Sequence, residues 1–465
     1  MRTPTDLPFA LAHAAVGAAR ERDAAARERM LETLDALDAR CWLGLDATLR
    51  RYRSWGGWPG GGRFDPLRAL LAACHRNGRI REAAVRRLAD VRGPAALTVL
   101  AIRCADWVPE LRAAARAALP SDVDGRGLVA LVDAALALGP RREGGWLFER
   151  ILADLGEHPH LGALLGAAPR PVRRAGYAAA IAAGRLPPET LVTAARCDPD
   201  PTVRLACAQS IVDSGDPRVL LTARSASVRA LALRALDDPT AAAAALTDRH
   251  RRVRTAAQET LRRAGADPAE RYRRLATHTP PAPAVLDGLG ETGDERDAGI
   301  ARQGLAHPRA RGRVAALRAL RRFGASRPAD LLPLLHDGSP AVVRQAVTGL
   351  RHTPEAVPPA LLADLLAPEN PAHVRLAGFR LSAAGDAWQR LATDLRLVDD
   401  ADERLRGTAR ADIASWLAFE AARVYHGPAP ERAAELDGLL ARAQAALGPE
   451  RLRLLRFHAG LSVRP

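Results

Sequence analysis

The chain of 465 residues has no lysine; all 68 of its basic residues are arginine. That absence removes the Schiff-base amine and the phosphate-loop lysine of nucleotide-binding loops from the available chemistry. Aromatic residues make up only 4%. A core must therefore come from Ala, Leu and Val, whose small volumes suit closely packed helices, and strand signals are nearly missing. The five cysteines (Cys41, Cys74, Cys104, Cys197 and Cys207) form no C-x-x-C pair and are odd in number. Most of them read as small buried residues in a reducing compartment. No run approaches the roughly 18 apolar residues of a membrane span. Near the N-terminus, charge returns at Arg20, Glu21, Arg22 and Asp23, which breaks any signal-peptide pattern. The expectation is a cytoplasmic protein without a membrane span. Asn and Ile are also scarce, so a GC-rich genome accounts for part of the arginine excess behind the net charge of +15.

What is present is a repeat. Val203-Arg204, Val228-Arg229 and Val253-Arg254 each open the same phrase, with small or apolar residues three, four, seven and eight positions after the Val. That spacing is one face of a helix. The same frame fits Ile80-Arg81, Leu111-Arg112, Val172-Arg173, Gly312-Arg313, Val343-Arg344, Val374-Arg375 and Leu405-Arg406. Positions 312, 343, 374 and 405 lie 31 apart, as do 80 and 111, and 172 and 203, whereas 203, 228 and 253 lie 25 apart. Helix starts are marked where Asp200, Ser339 and Asn370 each precede a proline. A capping side chain accepts from free backbone N–H groups, and proline has none to leave unpaired at the first helical position.

The Asp-Pro-x-Val-Arg-x-x-Ala core resembles the HEAT-repeat family, in particular its short bacterial, phycobilisome-lyase type, over roughly residues 65–420. The period of about 31 is shorter than the 40–47 of longer HEAT and armadillo repeats. The resemblance implies an all-α, right-handed α-solenoid of stacked antiparallel helix pairs, elongated and curved. It also implies that the arginine after each anchor pairs with an acidic residue of a neighbouring turn. Arg81, Arg112, Arg173, Arg204, Arg229, Arg254, Arg313, Arg344, Arg375 and Arg406 would form this structural ladder. The alternative is a row of guanidinium groups gripping an acidic ligand.

Four segments are expected: an N-terminal helical cap with a Gly/Trp-rich loop at 1–64, repeats at 65–279 and 280–420, and a C-terminal helical cap at 421–465. Pro280, Pro281 and Pro283 mark either a kink between halves or a worn copy whose helix begins at a proline. Residues 120–170 are the weakest repeat region, with Trp146, Leu147 and Ile151 as its core helix.

Candidate binding residues fall in two places. Arg53, Trp55, Trp58 and Arg63 lie in a Gly-rich loop, where aromatic and arginine side chains either seal the end of the stack or make contacts. Arg249, Arg251, Arg252 and Tyr272 lie in a basic stretch. Residues 201–280 carry 14 arginines against 8 acids, whereas 361–465 carry 14 of each. A basic stripe is the footprint of a phosphate-backbone binder, or else a solvated arginine-rich face.

Catalytic signals are thin. Gly288-Leu-Gly290-Glu-Thr-Gly293 matches a dinucleotide fingerprint in letters, but nothing before it reads as a strand. His158 and His160 with Glu157 fall short of the three or four ligands a metal needs. The chain reads as a non-enzymatic scaffold binding a protein partner, with no catalytic residue, metal or small-molecule cofactor assigned. Weak nucleic-acid binding is the alternative, extending to a HEAT-like alkylpurine glycosylase on the strength of Asp106-Trp107; a lyase-like cofactor handler follows from family analogy alone.

Overall fold

The computed structural model describes residues 6–21, 23–51, 65–277, 280–351, 353–382 and 386–462. Among them are 29 α-helices, seven short 3-10 turns and no strand. The Gly/Trp-rich loop, with Arg53, Trp55, Trp58 and Arg63, lies outside the described residues. The chain divides into two compact units, Met1–Leu236 and Asp237–Pro465. The boundary expected at 279/280 therefore falls inside the second unit.

In the first unit, helices alternate between those opening on a sequence anchor and those returning before them. Anchor helices include Pro109–Ala118, Arg170–Ala182 and Pro201–Ser214. Leu111, Val172 and Val203 are buried to 1% or less. The core is not one mass but a succession of apolar clusters along the chain, from Ala12–Leu147 through Leu128–Ala180 to Tyr177–Ala232. That is how helix pairs touching only their neighbours must bury apolar surface. The N-terminal cap is three helices, Asp6–Arg20, Ala24–Asp35 and Ala39–Arg51. Asp23 caps the second of them, accepting from the Ala25 N–H at 2.9 Å. Trp42 closes the cap, its Nε1 donating to the Leu34 carbonyl at 3.1 Å. In the weak region, Leu147 is fully buried and Arg116 lies 4.5 Å above the Trp146 ring.

Helix starts follow the capping logic unevenly. Asp200 accepts from the Thr202 N–H at 2.8 Å, as a cap ahead of a proline should. Ser339 makes no such bond; its own N–H is held by Asp337 Oδ1 at 2.8 Å. Asn370 donates its side-chain amide back to the Asp364 carbonyl at 2.6 Å. Ser339 thus holds the cap position without a side-chain bond, and the Asn370 side chain is engaged by the preceding turn.

In the second unit, Pro283 does open a helix, Pro283–Thr292, so the proline run is a worn copy. Both leading glycines of the Gly-x-Gly-x-x-Gly letters sit inside that helix. A side chain at Gly288 would meet the Tyr272 ring at 2.1 Å, and one at Gly290 would meet the Ala319 backbone at 2.8 Å. These glycines serve close approach between helices, not a phosphate. The C-terminal cluster runs unbroken from Trp388 to Ala459, with Trp388 and Trp416 edge-to-face at 5.8 Å. The helices Pro430–Arg442 and Pro449–His458 thus share a core with the helices Ala387–Leu397 and Glu403–Phe419.

The glycine reading has a direct check. Gly290→Ala should cost about 1–3 kcal/mol because a backbone atom must move. Gly299→Ala, which meets nothing within 4 Å, should be neutral or gain up to about 1 kcal/mol through helix propensity. Thermal melts of the two variants decide between close packing and incidental glycine.

Candidate functional site: arginine–aspartate rungs and two grooves

Each anchor arginine lies near the start of its helix, one residue past a position that is buried or, at Ile80, half-buried. Its side chain can therefore reach back to the loop that precedes that helix. Arg204 donates to the Pro199 carbonyl at 3.2 Å and also to that of Asp198. Arg81, Arg112, Arg229, Arg254, Arg313 and Arg406 likewise reach the carbonyl six residues back. This bond satisfies loop carbonyls that a helix pair would otherwise leave open.

An aspartate then joins one repeat to the next. Arg81 holds Asp106 at 3.0 and 3.2 Å, Arg173 holds Asp198, Arg313 holds Asp337 at 2.6 and 2.8 Å, and Arg375 holds Asp400. Each of these aspartates also accepts the N–H two residues on: Val108, Asp200, Ser339 and Asp402. Three of them, Asp106, Asp198 and Asp400, offer their backbone carbonyl to the next anchor arginine, Arg112, Arg204 and Arg406. One residue thus ties two successive helices and the turn between them. Arg254 makes a variant rung with Glu291, at 2.5 and 3.1 Å.

Asp106 is the most loaded member, 3% exposed with Arg50, Arg81 and Arg103 around it. Burial works to raise its carboxyl, but the Arg103 charge and the Arg81 hydrogen bond outweigh that and hold it below the usual carboxylate range. Asp337 behaves the same way, with Arg313 overcoming burial. Asp106 is thus committed to structure while its neighbour Trp107 is 73% exposed. The two do not form the paired arrangement that a glycosylase reading requires.

Arg344 departs from the ladder. It is exposed, and among the described residues its guanidinium has no hydrogen-bond or ion-pair partner. The cause is register. Asp106, Asp198 and Asp400 precede their arginines by six residues, whereas Asp337 precedes Arg344 by seven. One extra residue on a helix turns the side chain by about 100°. Both Val342 and Val343 are buried in consequence, and the Asp337 carbonyl meets the His373 ring nitrogen at 3.1 Å instead.

The basic stretch 249–274 is largely neutralised. Arg254 meets Glu291, Arg263 meets Asp237 at 2.6 Å, Arg273 meets Asp297 at 2.8 Å and Arg274 meets Glu270 at 3.1 Å. Arg249, Arg251 and Arg252 are exposed, with Arg251 3.7 Å from Glu291. Tyr272, expected at a binding surface, is fully buried; its hydroxyl donates to the Leu246 carbonyl at 2.8 Å and its ring fills the space left by Gly288. Sequence could not separate it from an exposed tyrosine because arginines flank it on both sides. His158 and His160 stand 5.9 Å apart, and no cluster of three metal-ligating side chains occurs among the described residues.

Two grooves were not legible in the sequence. The larger, about 860 Å³, lies in the first unit and takes side chains from the helices Ala24–Asp35, Ala39–Arg51, Pro94–Cys104 and Gly125–Leu138. Asp35, Asp38, Asp124 and Asp133 line it, with Arg126, Val129 and the exposed Cys41. Asp133 Oδ2 accepts the Ala39 N–H at 2.7 Å, and Asp35 Oδ1 accepts the Ala95 N–H at 2.8 Å. Burial pushes the Asp133 carboxyl up. Thr98, 2% exposed, lines the groove, and its hydroxyl has no partner among the described residues. The second groove, about 500 Å³, lies in the second unit around Arg344.

No family model and no curated protein matches this chain. Among solved structures it is similar to importin beta, at 12% identity and a TM-score of 0.41, covering 98% of this chain and 69% of that one. Yeast importin-beta (Kap95p) follows at 14% identity and 0.36, covering 97% and 66%. Kap121p bound to RanGTP gives 14% and 0.25, covering 98% and 50%. A likeness at this level carries no argument about partner or descent. Helix pairs at a short period, several of them tied by an arginine rung, define the class of fold: an all-α solenoid that resembles HEAT repeats.

Two predictions follow from the buried charges. Asp198→Ala strips Arg173 of its acid and the Asp200 N–H of its acceptor, and should cost about 2–4 kcal/mol; Arg344→Ala should stay within about 0.5 kcal/mol. Urea melts that ranked the two equally would deny the rung its role. The other concerns Asp394, 1% exposed beside Asp412; the Asp394 Oδ1 finds no partner among the described residues. Burial first, then the Asp412 charge, pushes it up to about 8. The folded state therefore keeps a proton that the unfolded chain sheds above about pH 4. The stabilisation is full below that pH and is lost as pH rises toward 8. Asp394→Asn should flatten this slope, about 1.4 kcal/mol per pH unit at most, in melts run from pH 5 to 9.

Proposed function

We propose that this chain is a non-enzymatic HEAT-repeat scaffold that binds a protein partner, and that the groove of the first unit receives a basic, partly apolar segment of it. The observation that carries this reading is the groove's composition. Four carboxylates from separate turns surround an apolar wall that includes Val129 and Ala130. The charge is opposite to the chain's own net +15. A surface assembled from helices distant in sequence is what a stack of repeats can offer a polypeptide and no single repeat can. Carboxylates that each hold one backbone N–H are fixed in place and keep lone pairs for a guanidinium fork. The Thr98 hydroxyl, which has no partner among the described residues, adds an acceptor and a donor. The pairing of Arg254, Arg263, Arg273 and Arg274 with carboxylates weighs against nucleic acid as the main partner, because phosphate binding needs unpaired positive charge.

Cys41 gives the test. It lines the groove, whereas Cys197 is also exposed but lies elsewhere in the same unit. A short peptide of alternating arginine and leucine should slow alkylation of Cys41 several-fold and leave Cys197 unchanged. Asp38→Asn with Asp133→Asn should abolish the protection; Asn keeps an acceptor for the Ala39 N–H, so the fold is retained. Equal protection of both cysteines, or none in either, defeats the reading.

A further inference from the structure

The groove of about 500 Å³ in the second unit lies among the helices Pro340–Leu350, Ala372–Ser382 and Glu403–Phe419. Val343, Val347 and Leu376 form its apolar floor, and Arg344, Arg380 and Arg404 stand around it. All three arginines are exposed, and among the described residues none of their guanidinium groups has a hydrogen-bond or ion-pair partner. Their neighbours behave differently: Arg313, Arg375 and Arg406 are each engaged by a carboxylate or a loop carbonyl. The extra residue that turns Arg344 off the ladder is what brings it to this groove. Asp402 also lines the groove, but its carboxylate caps the helix Glu403–Phe419, accepting the Arg404 and Leu405 N–H groups at 3.0 Å. His373 is held by the Asp337 carbonyl. Three forks from three consecutive repeats thus face one already engaged carboxylate.

We infer that this groove binds an acidic segment of a protein partner, with carboxylates on Arg344, Arg380 and Arg404 and aliphatic side chains on the floor. Guanidinium forks match carboxylates bidentately, and an unpaired charged rim around an apolar floor supplies both orientation and desolvation. A single nucleic-acid strand fits less well. Its bases need exposed aromatic faces to stack on, and of the two aromatic rings that line the groove Phe379 is 7% exposed and His373 is held by the Asp337 carbonyl. The inference is independent of the first unit's groove, since it rests on different residues and the opposite charge.

The experiment uses the full chain and a fluorescein-labelled twelve-residue peptide of alternating glutamate and leucine, followed by anisotropy at about 150 mM salt. Binding should weaken about tenfold in Arg344→Ala and at least thirtyfold in the double variant with Arg380→Ala. The variant Arg262→Ala with Arg271→Ala, two exposed arginines away from the groove, should bind like the parent. All variants change exposed side chains, and unchanged melting temperatures would verify that they fold. A glutamate–serine peptide of equal charge should bind markedly more weakly, as should a twelve-residue oligothymidylate. No binding of the glutamate–leucine peptide overturns the proposal, and so does equal binding by the double variant. Tighter binding of the oligothymidylate would assign the groove to nucleic acid and refute it as well.

Discussion

The aspartate at four of the turns between repeats, Asp106, Asp198, Asp337 and Asp400, constrains much of the rest of this structure. Its side chain accepts from the arginine of the preceding helix and from the N–H two residues on, and in three of four rungs its carbonyl accepts from the next helix's arginine. Apolar packing alone would leave neighbouring helix pairs free to slide, because Ala, Leu and Val surfaces are smooth and non-directional. A guanidinium fork is planar and directional, so each rung fixes both the distance and the rotation between pairs. Burial makes the arrangement demanding. Arg81 and Asp106 are both almost wholly out of water, and such a pair stabilises only while each partner is present.

The missing lysine fits this picture. A lysine at the anchor position would present one ammonium point and could not hold two loop carbonyls and a carboxylate together. Small residues complete the design: Gly288 and Gly290 bring helices close enough for Tyr272 and Ala319 to fill the space. The device also exposes where repeats can vary. Adding a single residue between aspartate and arginine, as before Arg344, leaves the aspartate's own rung to Arg313 intact and frees the following arginine for another use.

Much of the fold was legible because the code is local. Anchor, arginine and small residues recur within one helix, and a spacing of 31 or 25 survives substitution elsewhere. Arg81, Arg173, Arg254, Arg313 and Arg375 were readable as ion-pair donors from that pattern, and even the exception at Arg344 is visible as a count of seven instead of six. Tyr272 was misread because exposure depends on Gly288, sixteen residues away. Ser339 and Asn370 precede prolines as caps do, yet competing bonds from Asp337 and to Asp364 redirect them. The grooves were illegible for a stronger reason. Asp35, Thr98 and Asp133 meet only after several repeats have stacked, and no window of sequence contains them together.

A double-mutant cycle on Arg313 and Asp337, with stability measured by urea denaturation, tests the central claim most directly. The rung account predicts that the two alanine substitutions are strongly non-additive, with a coupling of roughly 1–3 kcal/mol. Additive losses, with coupling near zero, would mean that the pair only decorates a stack held by apolar contact, and would contradict the account.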